Sequence, residues 1–140
     1  MPEIKKIYQL FLSHPWRIGG EYDQMIRLLN QAPGFDWHNC SRPQCSPAID
    51  PEASVWAKEL MLALHGQIKP SGCVLILPGL YRSTPWIQIA INIAKYYAKP
   101  MLGILPQGVQ FLPQTVKMAV KEAVPWDSLK ITEAIKRYSL

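Results

Sequence analysis

Three predominantly apolar runs stand out along the chain, at residues 7–13, 72–78 and 99–105. Each run is short, and each is bounded by glycine, proline or polar residues, which is typical of strands that are buried on both faces. Two weaker runs, at residues 35–39 and 123–126, are predicted to be shorter strands. The pattern therefore predicts five strands, with a βαβ unit over residues 72–105 at its centre.

Between these runs, apolar residues recur at the three- and four-residue spacing of amphipathic helices. The predicted helices are residues 21–31, 53–65, 87–98, 114–121 and 127–137. Gly66 is predicted to end the second helix, and Asp127 or Ser128 to cap the last one. The residues of the last helix that are expected to pack are Leu129, Ile131, Ala134, Ile135 and Tyr138.

Alternating strands and helices predict a doubly wound α/β fold, in which a parallel sheet has helices on both faces. Five strands favour the flavodoxin-like order 2-1-3-4-5, in a single domain over residues 1–140. In such sheets a ligand binds beyond the carboxyl ends of the strands, near the switch point between strands 1 and 3. Residues 11–16, 36–43 and 79–90 are expected to surround this crevice.

Composition narrows the possible partners and compartments. The chain of 140 residues has a formal charge of +5, but its basic residues are scattered, so a nucleic acid partner is not expected. No apolar run approaches the roughly 18–20 residues of a membrane span, so no membrane association is expected. Residues 1–6 do not resemble a signal peptide, which favours a cytoplasmic location.

Metal and disulfide chemistry is not indicated by the cysteines. Cys40, Cys45 and Cys73 form no pair at the two-residue spacing of zinc ligands, and reduced thiols are the simplest interpretation.

The distribution of acidic residues along the chain is more informative. No Asp or Glu occurs between Glu59 and Glu122, although this segment holds six lysines and arginines. The segment predicted to face the crevice therefore lacks an acid.

Common catalytic motifs are absent as well. The sequence contains neither GxGxxG nor GxxxxGK[ST]. Strand 1 ends at Ser13-His14, without the carboxylates that a receiver domain needs there. Ser13 cannot pair locally with His14, since adjacent strand residues point to opposite faces, and no G-x-S-x-G elbow is present. These residues give little support to a hydrolase triad built from Ser13 with His14 or His38.

Four segments are more specific when their order and spacing are taken together. They are residues 10–16 followed by Tyr22-Asp23, residues 35–43, residues 74–81, and residues 83–87 leading to Ile93-Ala94 and 99–104. In these segments the chain resembles the TIR-like domains, in particular the TIR-like subunit of Thoeris antiphage systems. The resemblance covers nearly the whole chain.

This resemblance implies an activity. Such domains bind NAD as a substrate, with no cofactor, and break the bond between nicotinamide and ribose. The products are ADP-ribose, its cyclic isomers or related adducts, and in Thoeris systems the product is a second messenger for a separate effector protein. The chemistry is reasonable because a pyridinium leaves without a general acid, and a carboxylate can stabilise the oxocarbenium-like ribose.

Position 90 departs from the family pattern. The family carries a catalytic Glu four residues after a Trp, and Ala90 stands four residues after Trp86. The favoured interpretation is that the chain carries a deliberate Glu→Ala change at position 90. Two alternatives are a natural non-catalytic module that binds a nucleotide or a partner protein, and a different register in which Asp36 or Asp23 acts. A nucleoside deoxyribosyltransferase-like enzyme, which also relies on a Glu, is a further alternative.

The remaining candidate site residues are expected to bind the NAD or ADP-ribose-like ligand. They are Phe11, Ser13, His14, Asp36, Asn39, Ser41, Tyr81, Ser83 and Trp86. Phe11 is alternatively a core residue, and Trp86 is as well explained by packing. The family's loop after strand 2 often contacts neighbouring subunits, so residues 40–52 are predicted to mediate homo-oligomer contacts, or else to be a plain connector.

Overall fold

A five-stranded, all-parallel sheet forms the centre of the molecule. The computed structural model of the chain describes residues 6–13, 20–41, 62–77, 84–106, 108 and 111–140, and it leaves the side chains of residues 20, 21 and 84–87 undescribed. The strands are β1 (Tyr8–Ser13), β2 (Trp37–Asn39), β3 (Cys73–Ile76), β4 (Met101–Leu105) and β5 (Glu122–Pro125). Their order is β2-β1-β3-β4-β5, which confirms the predicted flavodoxin-like fold.

Helices connect these strands in the predicted sequence. They are α1 (Gly20–Gln31), α2 (described over residues 62–68), α3 (Thr84–Tyr96), α4 (Gln114–Ala119) and α5 (Ser128–Tyr138). Asp127 caps α5 as predicted, since its side chain accepts a hydrogen bond from the backbone N–H of Leu129. Within the described ranges, no helix is long and apolar enough to cross a membrane.

Two predictions about the helices were wrong. Gly66 does not end α2, because the helix continues to residue 68. Leu129 does not pack, because 64% of its surface is exposed. Leu129 lies two residues before Ile131, and with 3.6 residues per helical turn this places it on the side of α5 away from the core residues Ile131 and Ile135.

The sheet separates two hydrophobic cores. Successive residues of β3 and β4 point to opposite faces, so Leu75 and Leu102 belong to the first core while Ile76 and Met101 belong to the second. On the first face the core is completed by residues of α1 and α5, and on the second face by residues of α2, α3 and α4. Every residue of β3 is fully buried, as expected for the central strand of a doubly wound sheet.

Small residues occupy three buried or closely packed positions on the second face. Ala90 and Ala94 are the buried small residues of α3, and both belong to the second core. On β4, a Cβ atom at Gly103 would lie 2.6 Å from Leu112 Cδ1 and 3.3 Å from Val116 Cγ1. The small size of Gly103 therefore suits the packing of the segment around α4, and its backbone conformation does not call for glycine.

Candidate active site

The carboxyl ends of β1 and β3 form the switch point of the sheet. The two strands stay paired to their ends, where Ser13 lies opposite Ile76 and the N–H of Leu77 donates to the carbonyl of Ser13 at 3.2 Å. Ser13 is only 2% exposed. Since Ile76 belongs to the second core, Ser13 is also on the second face, at the end of β1 that borders the predicted crevice.

Ala90 occupies the sheet-facing side of α3 on this same face. It is 4% exposed and belongs to the second core together with Phe11, which is 3% exposed. Phe11 therefore has the packing role that was its alternative interpretation, and its predicted contact with substrate stays a prediction. Because residues 60–121 contain no Asp or Glu, the described part of this face presents no carboxylate near position 90.

A hydrogen-bonded cluster closes the carboxyl end of β2 on the other face. Asn39 donates from Nδ2 to the hydroxyl oxygen of Tyr22 at 2.8 Å, and the hydroxyls of Tyr22 and Ser41 are 3.2 Å apart. Asn39 Oδ1 accepts from the N–H of Ser41 at 2.9 Å and from its hydroxyl. We call Tyr22, Asn39 and Ser41 the β2 cluster, and it fixes the start of the loop after β2 against α1.

The predicted site residues therefore divide between the two faces. Phe11, Ser13 and Ala90 lie on the second face. Asn39, which pairs in register with the first-core residue Leu10, lies on the first face with Ser41. The hydrogen bonds within the β2 cluster occupy Asn39 and Ser41, so a ligand in the crevice would compete with these bonds for both side chains.

Asp36 lies at the opposite end of the sheet, which corrects its predicted place at the crevice. It precedes β2, and its carbonyl accepts from the N–H of Tyr8 at the start of β1 at 3.0 Å. The sequence pattern placed the strand start at residue 35, whereas the ladder begins at Trp37. The alternative acid, Asp23, is exposed on α1, next to the inward-facing Tyr22.

Several candidate residues fall outside the described part of the chain. They are His14, Tyr81, Ser83, the side chain of Trp86 and all but the first two residues of the 40–52 loop. Their predicted roles stay predictions. Trp86 itself lies within α3, which begins at Thr84, so its backbone position four residues before Ala90 is within one helix.

Tyr22 is the residue that sequence reasoning missed at this site. It was assigned to the apolar face of α1, and it is indeed 4% exposed in the first core. A tyrosine at a buried helical position needs a partner for its hydroxyl. That requirement was the available signal, but the partners come from β2, and only the fold brings them within reach.

The two described thiols are buried and lie outside any cluster of metal-ligating residues in the described ranges. Burial raises the pKa of Cys73 to about 12, and burial also raises the pKa of Cys40, against a smaller lowering by Lys99. In the described ranges, no group of three or more His, Cys, Asp or Glu residues is arranged to hold a metal ion.

Comparisons with known proteins identify a matching family model and several structures of similar fold. The family model described as "Thoeris protein ThsB, TIR-like domain" matches residues 11–110. No curated protein matches the chain.

Among solved structures, the chain is similar to three bacterial proteins at the level of fold. A 2-deoxyribosyltransferase from Bacillus psychrosaccharolyticus has a TM-score of 0.59 at 13% identity, covering 89% of this chain and 90% of that one. A conserved protein from Enterococcus faecalis V583 has a TM-score of 0.61 at 15% identity, covering 94% and 99%. A CMP N-glycosidase from Clostridium botulinum has a TM-score of 0.51 at 15% identity, covering 93% and 99%.

Proposed function

The chain belongs to the family of Thoeris ThsB TIR-like domains, and on this premise we propose that it represents an NAD-cleaving enzyme of bacterial antiphage defence. Its product would be an ADP-ribose-derived second messenger, cyclic or linear, that acts on a separate effector protein. Ala90 stands at the position of the catalytic carboxylate, so the chain as written binds NAD without turning it over. The family match over residues 11–110 is the observation that carries this proposal.

The location of position 90 supports its proposed role as the catalytic position. It lies on the sheet-facing side of α3, on the face where Ser13 ends β1. A carboxylate there would reach toward the switch point, where a doubly wound sheet binds its ligand. Two of the proteins that share the fold, the deoxyribosyltransferase and the CMP N-glycosidase, have names that describe chemistry at a nucleoside's glycosidic bond.

A carboxylate would contribute mainly to the transition state. The departing nicotinamide is a good leaving group, so the barrier lies in forming a cationic ribose. A charge aimed at that cation in a water-poor site typically contributes about 10²–10³-fold in rate. Its replacement by a methyl group removes that stabilisation and leaves the surfaces that bind the substrate in place.

The proposal is tested by restoring the acid. We expect Ala90→Glu to release nicotinamide from NAD at least about 100-fold faster than the chain as written. Ala90→Gln is the matched control, because it adds the same bulk without the charge and should release no more than the Ala90 protein. Nicotinamide release is followed with purified protein, with and without lysate from infected cells in case a trigger is needed. Thermal melting and NAD binding of all three proteins are measured alongside, because the site is buried.

The outcome that would contradict the proposal is specific. If the Ala90→Glu protein is folded and binds NAD but releases no nicotinamide under either condition, position 90 is not a catalytic position in this chain. If the variant does not fold, Ser13→Ala in the Ala90 background still tests the site, because it should weaken NAD binding measured by calorimetry.

A non-catalytic module that binds a nucleotide or a partner protein is the second candidate. The packing of Ala90 favours this candidate, because Ala90 is buried in the second core together with Ala94. A buried carboxylate without a charge partner would be costly there. The two candidates share the crevice. They differ in whether nicotinamide is released by Ala90→Glu. In both, homo-oligomer contacts through residues 40–52 are a further expectation, measurable by light scattering.

A further inference from the structure

A cleft lies on the first face of the sheet, between α1 and the start of α5. Its volume is about 550 Å³, within the range typical of small-molecule sites. We call it the α1–α5 cleft, and it is lined by Gln24, Arg27, Leu28, Gln31, Trp126 and Ser128. No lining residue falls within residues 11–16, 36–43 or 79–90, which are expected to surround the crevice, and none belongs to the β2 cluster. The α1–α5 cleft is therefore a different surface from the candidate active site.

The α1 side of the cleft is one stripe of side chains. Gln24, Arg27, Leu28 and Gln31 recur at the three- and four-residue spacing that places helical residues on one side. The stripe borders the side of α1 that packs in the first core, and Leu28 is its half-buried member. The other three side chains are exposed. Arg27 thus lies between two carboxamides along the helix.

Trp126 supplies the main apolar surface on the other side of the cleft. It directly follows β5, is half-buried and packs against the first core, which limits the motion of its ring. Ser128 begins α5 two residues later, and its side chain adds a hydroxyl. An indole offers a flat apolar face and one N–H donor, so this wall suits a planar ligand.

Arg27 is the charge that the cleft presents. It is the only charged residue among the described residues that line the cleft, and within the described ranges no acid lies close enough to form an ion pair with it. Asp23 precedes it by four residues on α1 without pairing with it. Asp127, beside Ser128 in sequence, already accepts from the backbone N–H of Leu129. The guanidinium is therefore available to an anionic ligand.

We propose that the α1–α5 cleft binds a small aromatic carboxylate, with the carboxylate on Arg27 and the ring against Trp126. A guanidinium presents parallel N–H donors in one plane, and they match the two oxygens of a carboxylate. One cation balances one negative charge, so a carboxylate suits the cleft better than a doubly charged phosphate. The NH₂ groups of Gln24 and Gln31 are further donors on either side of Arg27. The site does not depend on NAD cleavage, because it uses neither Ala90 nor the crevice.

Benzoate is the probe for this proposal, and the side-chain N–H signals of Arg27 and Trp126 are the direct readout. In a ¹⁵N-correlated NMR titration of the full chain, we expect benzoate to shift both signals. Arg27→Gln removes the charge, keeps a good helix former and should weaken benzoate binding at least about tenfold. Lys130→Gln is the matched control, since Lys130 is an exposed cation of α5 outside the lining residues, and it should bind within about twofold of the unchanged protein.

The charge of the ligand can be tested separately from its ring. Benzamide keeps the ring and has no charge, so it should bind at least about tenfold more weakly than benzoate. Gln31→Glu places an acid one helical turn after Arg27, where it can pair with the guanidinium and repel the ligand. This variant should weaken benzoate binding as well, and it tests the site without removing Arg27.

Three results would overturn the proposal. One is that benzoate leaves the signals of Arg27 and Trp126 unmoved. Another is that Arg27→Gln and Gln31→Glu both bind benzoate as well as Lys130→Gln does, or that benzamide binds as tightly as benzoate. A third is that the shifts appear only at Ser13 and along α3, which would place benzoate in the crevice.

Discussion

The core residues on the two faces of the sheet are buried to a similar extent, but the two faces differ in the charged and polar residues that they carry. The first face, with α1 and α5, carries acids on its helices, among them Asp23, Asp127 and Glu133, and the β2 cluster closes its carboxyl edge. On the second face, the described residues of α2, α3 and α4 include no acid, and this face holds Ala90. Each face also has a cavity, one of about 420 Å³ beside β2 and α2 and one of about 550 Å³ between α1 and the start of α5.

The sizes of the packed side chains also differ between the faces. On the first face, large side chains such as Met25, Leu29 and Ile135 fill the space between helices and sheet. On the second face, the buried residues include Ala90 and Ala94. Since Ala90 is only 4% exposed, position 90 is sensitive both to the size and to the charge of its residue.

The largest expected effects test whether the two faces contribute equally to stability. Leu75 and Ile76 are neighbours on β3, both are fully buried, and they point to opposite cores. Leu75→Ala and Ile76→Ala should each lower the free energy of unfolding by about 2–5 kcal/mol. Urea unfolding measured by circular dichroism gives both values on one scale.

Thr115→Ala is the control for these variants, since Thr115 is exposed on α4 and its change should stay within about 0.5 kcal/mol. A loss below about 1 kcal/mol for only one of the two core variants would show that its core is loosely packed. The two faces would then not be equivalent in stability.

Much of the fold was predictable because its signals are local. The runs that became β1, β3 and β4 are mostly apolar, since both faces of these strands are largely buried. The spacing of Tyr22, Met25 and Leu29 marks one side of α1. Asp127 was recognisable as a cap because an acid before an apolar-periodic segment satisfies free N–H groups. These features depend on neighbours in sequence, so sequence is sufficient to find them.

The site was less predictable because its contacts are between distant segments. The register of β2 decides that Asn39 lies at the carboxyl edge and Asp36 at the amino edge, and hydrophobicity alone did not locate the first ladder pair at Trp37. Gly66 was interpreted as a helix end because glycine is common there, but α2 continues to residue 68. The role proposed for position 90 depends on a carboxylate that Ala90 lacks. Neither the sequence pattern nor the packing around Ala90 could predict that role.

An intermediate effect is expected at the tightest contact of the second face. Gly103→Ala would place a Cβ atom 2.6 Å from Leu112 Cδ1, which should cost about 1–3 kcal/mol of unfolding free energy. Combining it with Leu112→Ala removes the clashing atom, so the double variant should be more stable than the sum of the single changes predicts. Thermal or urea unfolding of the four proteins in this cycle measures the coupling.

Gly66→Ala is the matched control, because its Cβ atom meets open space and alanine favours a helix, so stability should be unchanged or slightly higher. Strict additivity of Gly103→Ala and Leu112→Ala would contradict the close approach of the segment around α4 to β4. It would also mean that Leu112 and a larger residue at position 103 can pack together on the second face without a clash.

The smallest expected effect concerns the ion pair between β5 and α5. Arg137 Nη1 lies 3.1 Å from Glu122 Oε1, with side chains 55% and 36% exposed, so water and salt screen the pair. A double-mutant cycle of Arg137→Ala and Glu122→Ala should give a coupling of about 0.2–0.5 kcal/mol, which falls further in 1 M salt. The cycle is needed because Arg137 also lies 5.8 Å from the Tyr138 ring centroid, and the single change would lose both contacts. A coupling above about 1 kcal/mol that persists in high salt would mean that charge, in addition to apolar packing, holds α5 to the sheet. It would set the first face apart from the second, whose described helices carry no acid, in stability as well as in chemistry.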